Sequence, residues 1–252
     1  MVPHTHNWLL TAELHNVTQF LSTQARSVIP KLLPFLISCY NYFALWLPLS
    51  EPNLFHALIK SLPVLCLGFF IVVHSLSQGR FSSYSKKIFV GLMFSAAGDI
   101  CLLWEDFFLH GMVMFGLAHI MYIISFGFRP LRLRLFILLA LFCAAFFFFA
   151  LPYLHGPFLY MVPGYSVLIG TMAWRALARV SLASYKFSWA HVFAALGSLI
   201  FVVSDCFLAV DKFCFPIENS RAIVMATYYG GQMFIALSIA GGSEDDFMWK
   251  KK

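Results

Sequence analysis

Charge is what this sequence has least of. Only 11% of its 252 residues are Asp, Glu, Lys or Arg, where a soluble domain carries about 25%. Such a chain has too few ionic groups to cover a globular surface, which excludes an ordinary soluble domain. The formal net charge of +6 would suggest nucleic acid if the basic residues formed a patch. They fall instead in short clusters between apolar runs, the way a membrane protein uses Lys and Arg, and nucleic acid is not an expected partner. Disulfide and zinc frameworks are also missing. Cys39, Cys66, Cys101, Cys143 and Cys206 lie inside apolar runs, only Cys214 falls in a loop, and no CxxC or HxxxH spacing occurs. No cofactor and no metal is implied. The N-terminus lacks the basic start of a secretory signal, and Glu13, His15, Asn16 and Gln19 interrupt any apolar core.

Long apolar runs are what is present, in a chain that is 61% hydrophobic and 18% aromatic. Eight runs of bilayer-spanning length are expected, near 32–48, 57–76, 88–104, 108–128, 135–151, 159–177, 190–210 and 222–240. The fold class expected is all-α, a polytopic bundle of eight transmembrane helices over 31–241. Residues 1–30 form an N-terminal segment in which Leu10, Leu14, Val17, Leu21 and Val28 recur at helical spacing, so an interfacial helix is expected near 8–28. A charged tail follows at 242–252. Basic residues accumulate on one side of an eight-helix arrangement: Arg26, Lys31, Arg80, Lys86, Lys87, Arg129, Arg132, Arg134, Arg175, Arg179, Lys186 and Lys250 to Lys252. The other side holds Glu51, Glu105, Asp106, Asp211 and Glu218, with only Lys60, Lys212 and Arg221. The asymmetry predicts cytosolic termini, and it leaves the Asn16-Val17-Thr18 sequon in the cytosol, unused. The FFFF run at 146–149 has no polar neighbour and reads as lipid-facing.

Two carboxylates break this pattern. Asp99 lies in FSAAGDICLLWED and Asp205 in LGSLIFVVSDCFLAVD. A carboxylate at the centre of a membrane helix costs about 3 kcal/mol on insertion scales, so each needs a partner or a use. Asp99 is six residues before Glu105 and Asp205 six before Asp211, about 9 Å at 1.5 Å per residue, which places both at one depth. Asn41, Lys60, Tyr165, Ser166, Tyr228 and Tyr229 fall near the same level, His119 and Tyr122 lie deeper, and Gln232 follows on the last helix. Ser95, Ala96, Ala97 and Gly98 are small and allow a neighbouring helix to approach Asp99. The expectation is a polar cavity open toward the lumenal leaflet. Each member has a plainer alternative. The two Asp residues form a structural pair, Lys60 snorkels to the interface, His119 is a satisfied core histidine, Tyr228 and Tyr229 are packing residues, and Arg175 is an anchor.

These residues bring a family into view. LIKSLPVLCL at 58–67, FSAAGDICLLW at 94–104 and the H-x-x-Y of AHIMYIISFGF at 118–128 resemble the lysoplasmalogenase (YhhN-like) membrane proteins, most closely their vertebrate branch. MAWRALA at 172–178, FVVSDCFLAVDKF at 201–213 and SRAIVMATYYGGQM at 220–233 extend the likeness. The resemblance implies a hydrolase that cleaves the vinyl-ether bond of lysoplasmalogens to a fatty aldehyde and glycerophosphocholine or glycerophosphoethanolamine. It also implies a multi-pass protein of the endoplasmic reticulum membrane with a lysophospholipid as its ligand. A homo-oligomer is compatible with the sequence but not readable in it.

The chemistry is consistent with the residues. Cleaving a vinyl ether takes a proton donor at the β-carbon and a base that activates water beside an oxocarbenium ion, a demand that paired carboxylates meet in glycoside hydrolysis. Asp99 and Asp205 are the expected catalytic pair. In a low-dielectric cavity two carboxyls do not both ionise easily, which separates an acid from a base. Lys60, Asn41, His119, Tyr122, Tyr165, Tyr228, Tyr229 and Gln232 are the expected substrate-binding residues. Lys60 either holds the ionised Asp or meets the substrate's phosphate. Two rivals stand beside this reading. A zinc hydrolase would use Asp with His74, His110, His119 or His191, which lie at different depths. A proton-coupled carrier would use the D-x-x-L pattern shared by Asp99 to Leu102 and Asp205 to Leu208 as a weak repeat.

Overall fold

The computed structural model describes residues 26–46, 53–180 and 188–241. The expected helix at 8–28 falls almost wholly outside them, as do the Asn16 sequon, Glu51, Lys186 and the tail at 242–252. Eight α-helices are seen among the described residues. They are α1 (Arg26–Leu45), α2 (Leu54–Ser77), α3 (Ser83–Cys101), α4 (Phe108–Phe126), α5 (Leu133–Ala150), α6 (Phe158–Arg179), α7 (Trp189–Ala209) and α8 (Ser220–Leu237). Each of the eight apolar runs forms a helix, and the fold is an all-α bundle. Helices α1, α2, α4, α5 and α7 are long and apolar enough to cross a bilayer by length and composition. The other three are 19, 22 and 18 residues long, and they carry polar groups that face protein.

The helix ends follow local chemistry. The Asn53 side chain accepts from the His56 backbone N–H at 3.0 Å to start α2, and Ser82 caps α3 by accepting from Ser85 N–H at 3.0 Å. Gly127 ends α4 at φ 73°, a conformation that suits a residue without Cβ. Its carbonyl accepts from Arg175 Nε at 2.6 Å, and Arg175 Nη1 donates to Pro130 O at 2.9 Å. Arg175 is therefore no surface anchor. It is fully buried and ties the α4–α5 connection to α6.

Lipid supplies no hydrophobic force between helices, so close packing and polar pairs must hold them together. Small residues permit the approach. A Cβ on Gly197 would lie 2.7 Å from Gly231 O, so α7 and α8 meet backbone to backbone. A Cβ on Gly98 would lie 2.7 Å from Phe115 Cε2, so an α4 ring rests directly on α3 beside Asp99. Helix α5 differs from the rest: Ala150 is its one buried residue, and only 6% of its most apolar window is covered by protein. Phe148 and Phe149 are exposed as expected of a lipid-facing run. Phe146 departs from that expectation and lines the internal cavity, because α5 turns one edge toward α6.

Candidate active site

A cavity of about 300 Å³ opens where α1, α3, α5 and α7 end and where α2, α4, α6 and α8 begin. Asp99 and Asp205 both line it. The two carboxyls do not stand equally far from their helix ends, contrary to expectation. Helix α3 stops at Cys101 rather than near Glu105, with the Leu102 N–H closing on Gly98 O, so Asp99 sits in its last turn. Helix α7 instead runs on into a wide π-turn at Val210–Cys214, which is held by Ile217 N–H donating to Asp211 Oδ1 at 2.8 Å. The two carboxyls reach one cavity although their distances from the helix ends differ.

Asp99 is buried, and its Oδ2 accepts from the Tyr228 hydroxyl at 2.7 Å. Asp205 is more open, its side chain 17% exposed, and its Oδ2 accepts from the Tyr165 hydroxyl at 2.5 Å. His119 Nε2 lies 2.9 Å from that hydroxyl and 3.9 Å from the same Asp205 oxygen. Tyrosine has one hydroxyl proton, and Tyr165 gives it to Asp205. The Tyr165 oxygen then accepts from His119 Nε2–H, which sets the tautomer. His119 is thus a partnered histidine one step behind Asp205, as well as a buried one. The ring of Phe201 joins the two halves, with its centroid 5.0 Å from His119 and 5.4 Å from Tyr228. One aromatic wall therefore braces the partners of both carboxyls.

The remaining polar residues sort into rim and support. Lys60 lines the cavity on α2 and lies within electrostatic reach of Asp99 and Arg221. Its backbone carbonyl accepts from the Tyr229 hydroxyl at 2.7 Å, one residue past Ile59, whose carbonyl Pro63 leaves without a helical N–H donor. Tyr229 is consequently a structural tie and does not line the cavity. Tyr122 and Gln232 also lie behind the wall, where the Tyr122 hydroxyl donates to Gln232 Oε1 at 2.8 Å and both side chains are fully buried. Asn41 is on the exposed face of α1; its neighbour Tyr42 points inward and lines the cavity. The structure thus brings Lys60, Asp99, Tyr165, Asp205 and Tyr228 to one surface, with Ser166 among the liners. It places His119, Tyr122, Tyr229 and Gln232 in support and leaves Asn41 outside.

Several cavity residues escaped the sequence reading of the site, among them His56, Asp211, Arg221 and Tyr42. Arg221 lines the cavity at the start of α8, with Nε donating to Tyr42 Oη at 3.2 Å and the guanidinium 4.5 Å from the Trp46 ring centroid. Its signal was available: Arg221, Met225 and Tyr228 stand at i, i+4 and i+7, and all three face the cavity. Tyr42 likewise continues a buried stripe with Phe35 and Ser38 on α1. Among the described residues, no group of three or more His, Cys, Asp or Glu side chains is arranged to hold a metal ion.

The profile of the YhhN family matches residues 55–239. The chain is similar to the lysoplasmalogenase TMEM86A of Bos taurus, 45% identical over 224 residues that cover 88% of this chain and 93% of the relative. Its likeness to the Homo sapiens protein of that name is 42% over the same shares of both chains. It is also similar to the lysoplasmalogenase TMEM86B of Homo sapiens, 37% identical over 86% of this chain and 89% of the relative. No solved structure matches. A profile match from α2 to α8, together with this identity over nearly the whole of several relatives, means that the chain belongs to the YhhN family.

Proposed function

We propose that this protein is an intramembrane hydrolase that cleaves the vinyl-ether bond of lysoplasmalogens, with Asp99 and Asp205 as its acid–base pair. The observation that carries the reading is that Asp99 and Asp205, from separate helices, line one cavity and are each held by a tyrosine hydroxyl, whereas the third carboxyl in the lining, Asp211, is taken up by the Ile217 N–H. The names of the relatives supply the substrate class.

In the reaction R–CH=CH–O–R′ takes one water and gives R–CH₂–CHO and HO–R′. A carboxyl proton goes to the β-carbon, and the α-carbon becomes an oxocarbenium ion shared with the ether oxygen. The second carboxyl takes a proton from water as that water adds to the α-carbon. The hemiacetal then collapses: its hydroxyl gives up a proton, the bond between the α-carbon and the ether oxygen breaks, and that oxygen takes up a proton to leave as HO–R′. The products are a fatty aldehyde and glycerophosphocholine or glycerophosphoethanolamine. Either carboxylate, once ionised, stabilises the adjacent cation in a site where water screens little. Lys60 and Arg221 sit at the rim on α2 and α8, where their charges suit the phosphodiester of the headgroup. The membrane of the endoplasmic reticulum, where such lipids are handled, is the location that goes with this activity.

Purified protein reconstituted with a lysoplasmalogen should release aldehyde, measured by coupling to an aldehyde dehydrogenase. Asp99→Asn and Asp205→Asn keep volume and hydrogen bonding but remove titration. Each should lower turnover by roughly 10²- to 10⁴-fold, the usual contribution of one positioned acid or base. The double variant should be scarcely worse than the worse single one, because groups that act together are not additive. Asn variants that keep full turnover would refute the pairing.

A further inference from the structure

A second groove adjoins the cavity across a shared wall. This groove, of about 270 Å³, runs along the outer seam between α5 and α6, lined only by residues of those two helices, and it shares Cys143 and Ser166 with the main cavity. We infer that this seam is the channel for the lipid's hydrocarbon chain: the alkenyl chain leaves the carboxyl pair at the Cys143–Ser166 neck and lies between α5 and α6, facing the bilayer. This rests on the proposed lysoplasmalogen reading and gives that site a direction.

Three observations carry it. The groove has no charged side chain in its lining, and Ala140, Ala144 and Gly170 leave it open. The neck is narrow but lightly closed. Cys143 Sγ lies 3.7 Å from Ser166 O, and a Cβ on Gly170 would come within 2.7 Å of that sulphur. The direction also fits a lipid in one leaflet. Lys60 and Arg221 stand at the end of the bundle where the cavity opens, whereas the groove descends from the level of Phe147 and Pro163 to that of Phe136 and Thr171. Along α5 this is roughly 17 Å at 1.5 Å per residue, directed into the hydrocarbon core. A lysophospholipid with its phosphate at the rim would present its vinyl ether to the carboxyls and send its tail down this seam. Helix α5 is suited to forming one wall, since only Ala150 of it is buried and a chain lying against it uncovers no core.

The test fills the groove from its exposed side with Ala140→Phe and Ala144→Phe together, leaving the cavity untouched. Reconstituted wild type and variant are compared on a hexadecenyl lysoplasmalogen and on a butenyl analogue too short to enter the seam. The expected result is a fall in kcat/KM of about tenfold or more on the long chain, with the butenyl analogue changed less than about threefold. An unchanged long-chain rate, or an equal fall on both substrates, would overturn the inference. A second measurement needs no variant. A lysophospholipid with a mid-chain diazirine should label wild-type peptides from 133–150 or 158–179, and labelling confined to other helices would also overturn it. If wild type hydrolyses no vinyl ether, the proposed reaction fails, and the site of labelling alone decides the channel.

Discussion

Replacing Tyr165 by Phe isolates one atom of the site. Its hydroxyl donates to Asp205 at 2.5 Å and stands 2.9 Å from His119 Nε2. Phe fills the same space and leaves the ring contact with His119, centroids 5.2 Å apart, in place. Two magnitudes then compete. A hydrogen bond between neutral groups in a membrane bundle averages about 0.6 kcal/mol and reaches at most about 1.7, so a merely structural role predicts a small stability loss and an unchanged rate. A hydrogen bond to an ionised partner contributes about 1.5–3 kcal/mol. If Asp205 carries its charge in the transition state, the rate should fall roughly 10- to 150-fold at about 1.36 kcal/mol per decade. The assay is aldehyde release by reconstituted protein, with kcat and KM separated and thermal unfolding followed in parallel. The loss is expected in kcat. In the Asp205→Asn background the same substitution should change the residual rate by less than about threefold, because the hydroxyl acts through that carboxylate. Full additivity of the two changes, or a wild-type rate for Tyr165→Phe, would refute the placement of Tyr165 and His119 behind Asp205.

Two further outcomes are expected. Turnover should survive removal of divalent metal by a chelator, because the proposed proton transfers use only carboxyls and water; loss on chelation with recovery on zinc would favour an Asp–His metal site. Single cysteines placed in the connection at 78–82 should react with a membrane-impermeant reagent from the cytosolic side, and those at 104–107 from the opposite side. Arg80 falls in the first, with Lys86 and Lys87 following it, and Glu105 and Asp106 fall in the second, so the reverse pattern would overturn the charge-based orientation.

The bundle was legible because bilayer thickness fixes the length of an apolar run, and all eight runs became helices. Their ends were less legible. Helix α3 begins at Ser83 rather than near 88 because Ser82 caps it, so Lys86 and Lys87 belong to a helix that hydropathy alone discounts. Within the site, Asp99 and Asp205 stood out by their cost in lipid, a signal that needs no partner to be seen. Asn41 and Tyr42 show where that signal fails. A polar residue on a membrane helix draws attention, yet the buried stripe of Phe35, Ser38 and Tyr42 decides which side faces protein, and Asn41 is off it. Arg221 was read as a topological charge because it starts a helix, and its place on the cavity face of α8 appears only when periodicity is followed from Tyr228 backward. Tyr122, Tyr229 and Gln232 lay at plausible depths, but depth does not say whether a hydroxyl meets a cavity or a neighbouring helix.

The site and the assembly of the bundle share one set of bonds. Tyr228 to Asp99 joins α8 to α3, Tyr165 to Asp205 joins α6 to α7, and His119 ties α4 to the same tyrosine. Tyr229 to the Lys60 carbonyl joins α8 to α2, and Arg221 to Tyr42 joins α8 to α1. Where lipid supplies no hydrophobic force between helices, such bonds orient the bundle as well as the reacting groups. Removing a whole side chain from this network would therefore damage packing and chemistry together, and a dead alanine variant would say little. Exchanges of single atoms, Asp to Asn or Tyr to Phe, leave the interhelical volume intact and change only what faces the cavity. Helix α5 stands outside this network, and its closest polar approach to α6 is the 3.7 Å thiol contact at Cys143. The one helix that the polar site does not bind is thus the one whose displacement would disturb the carboxyl pair least, which is the property a hydrocarbon channel requires.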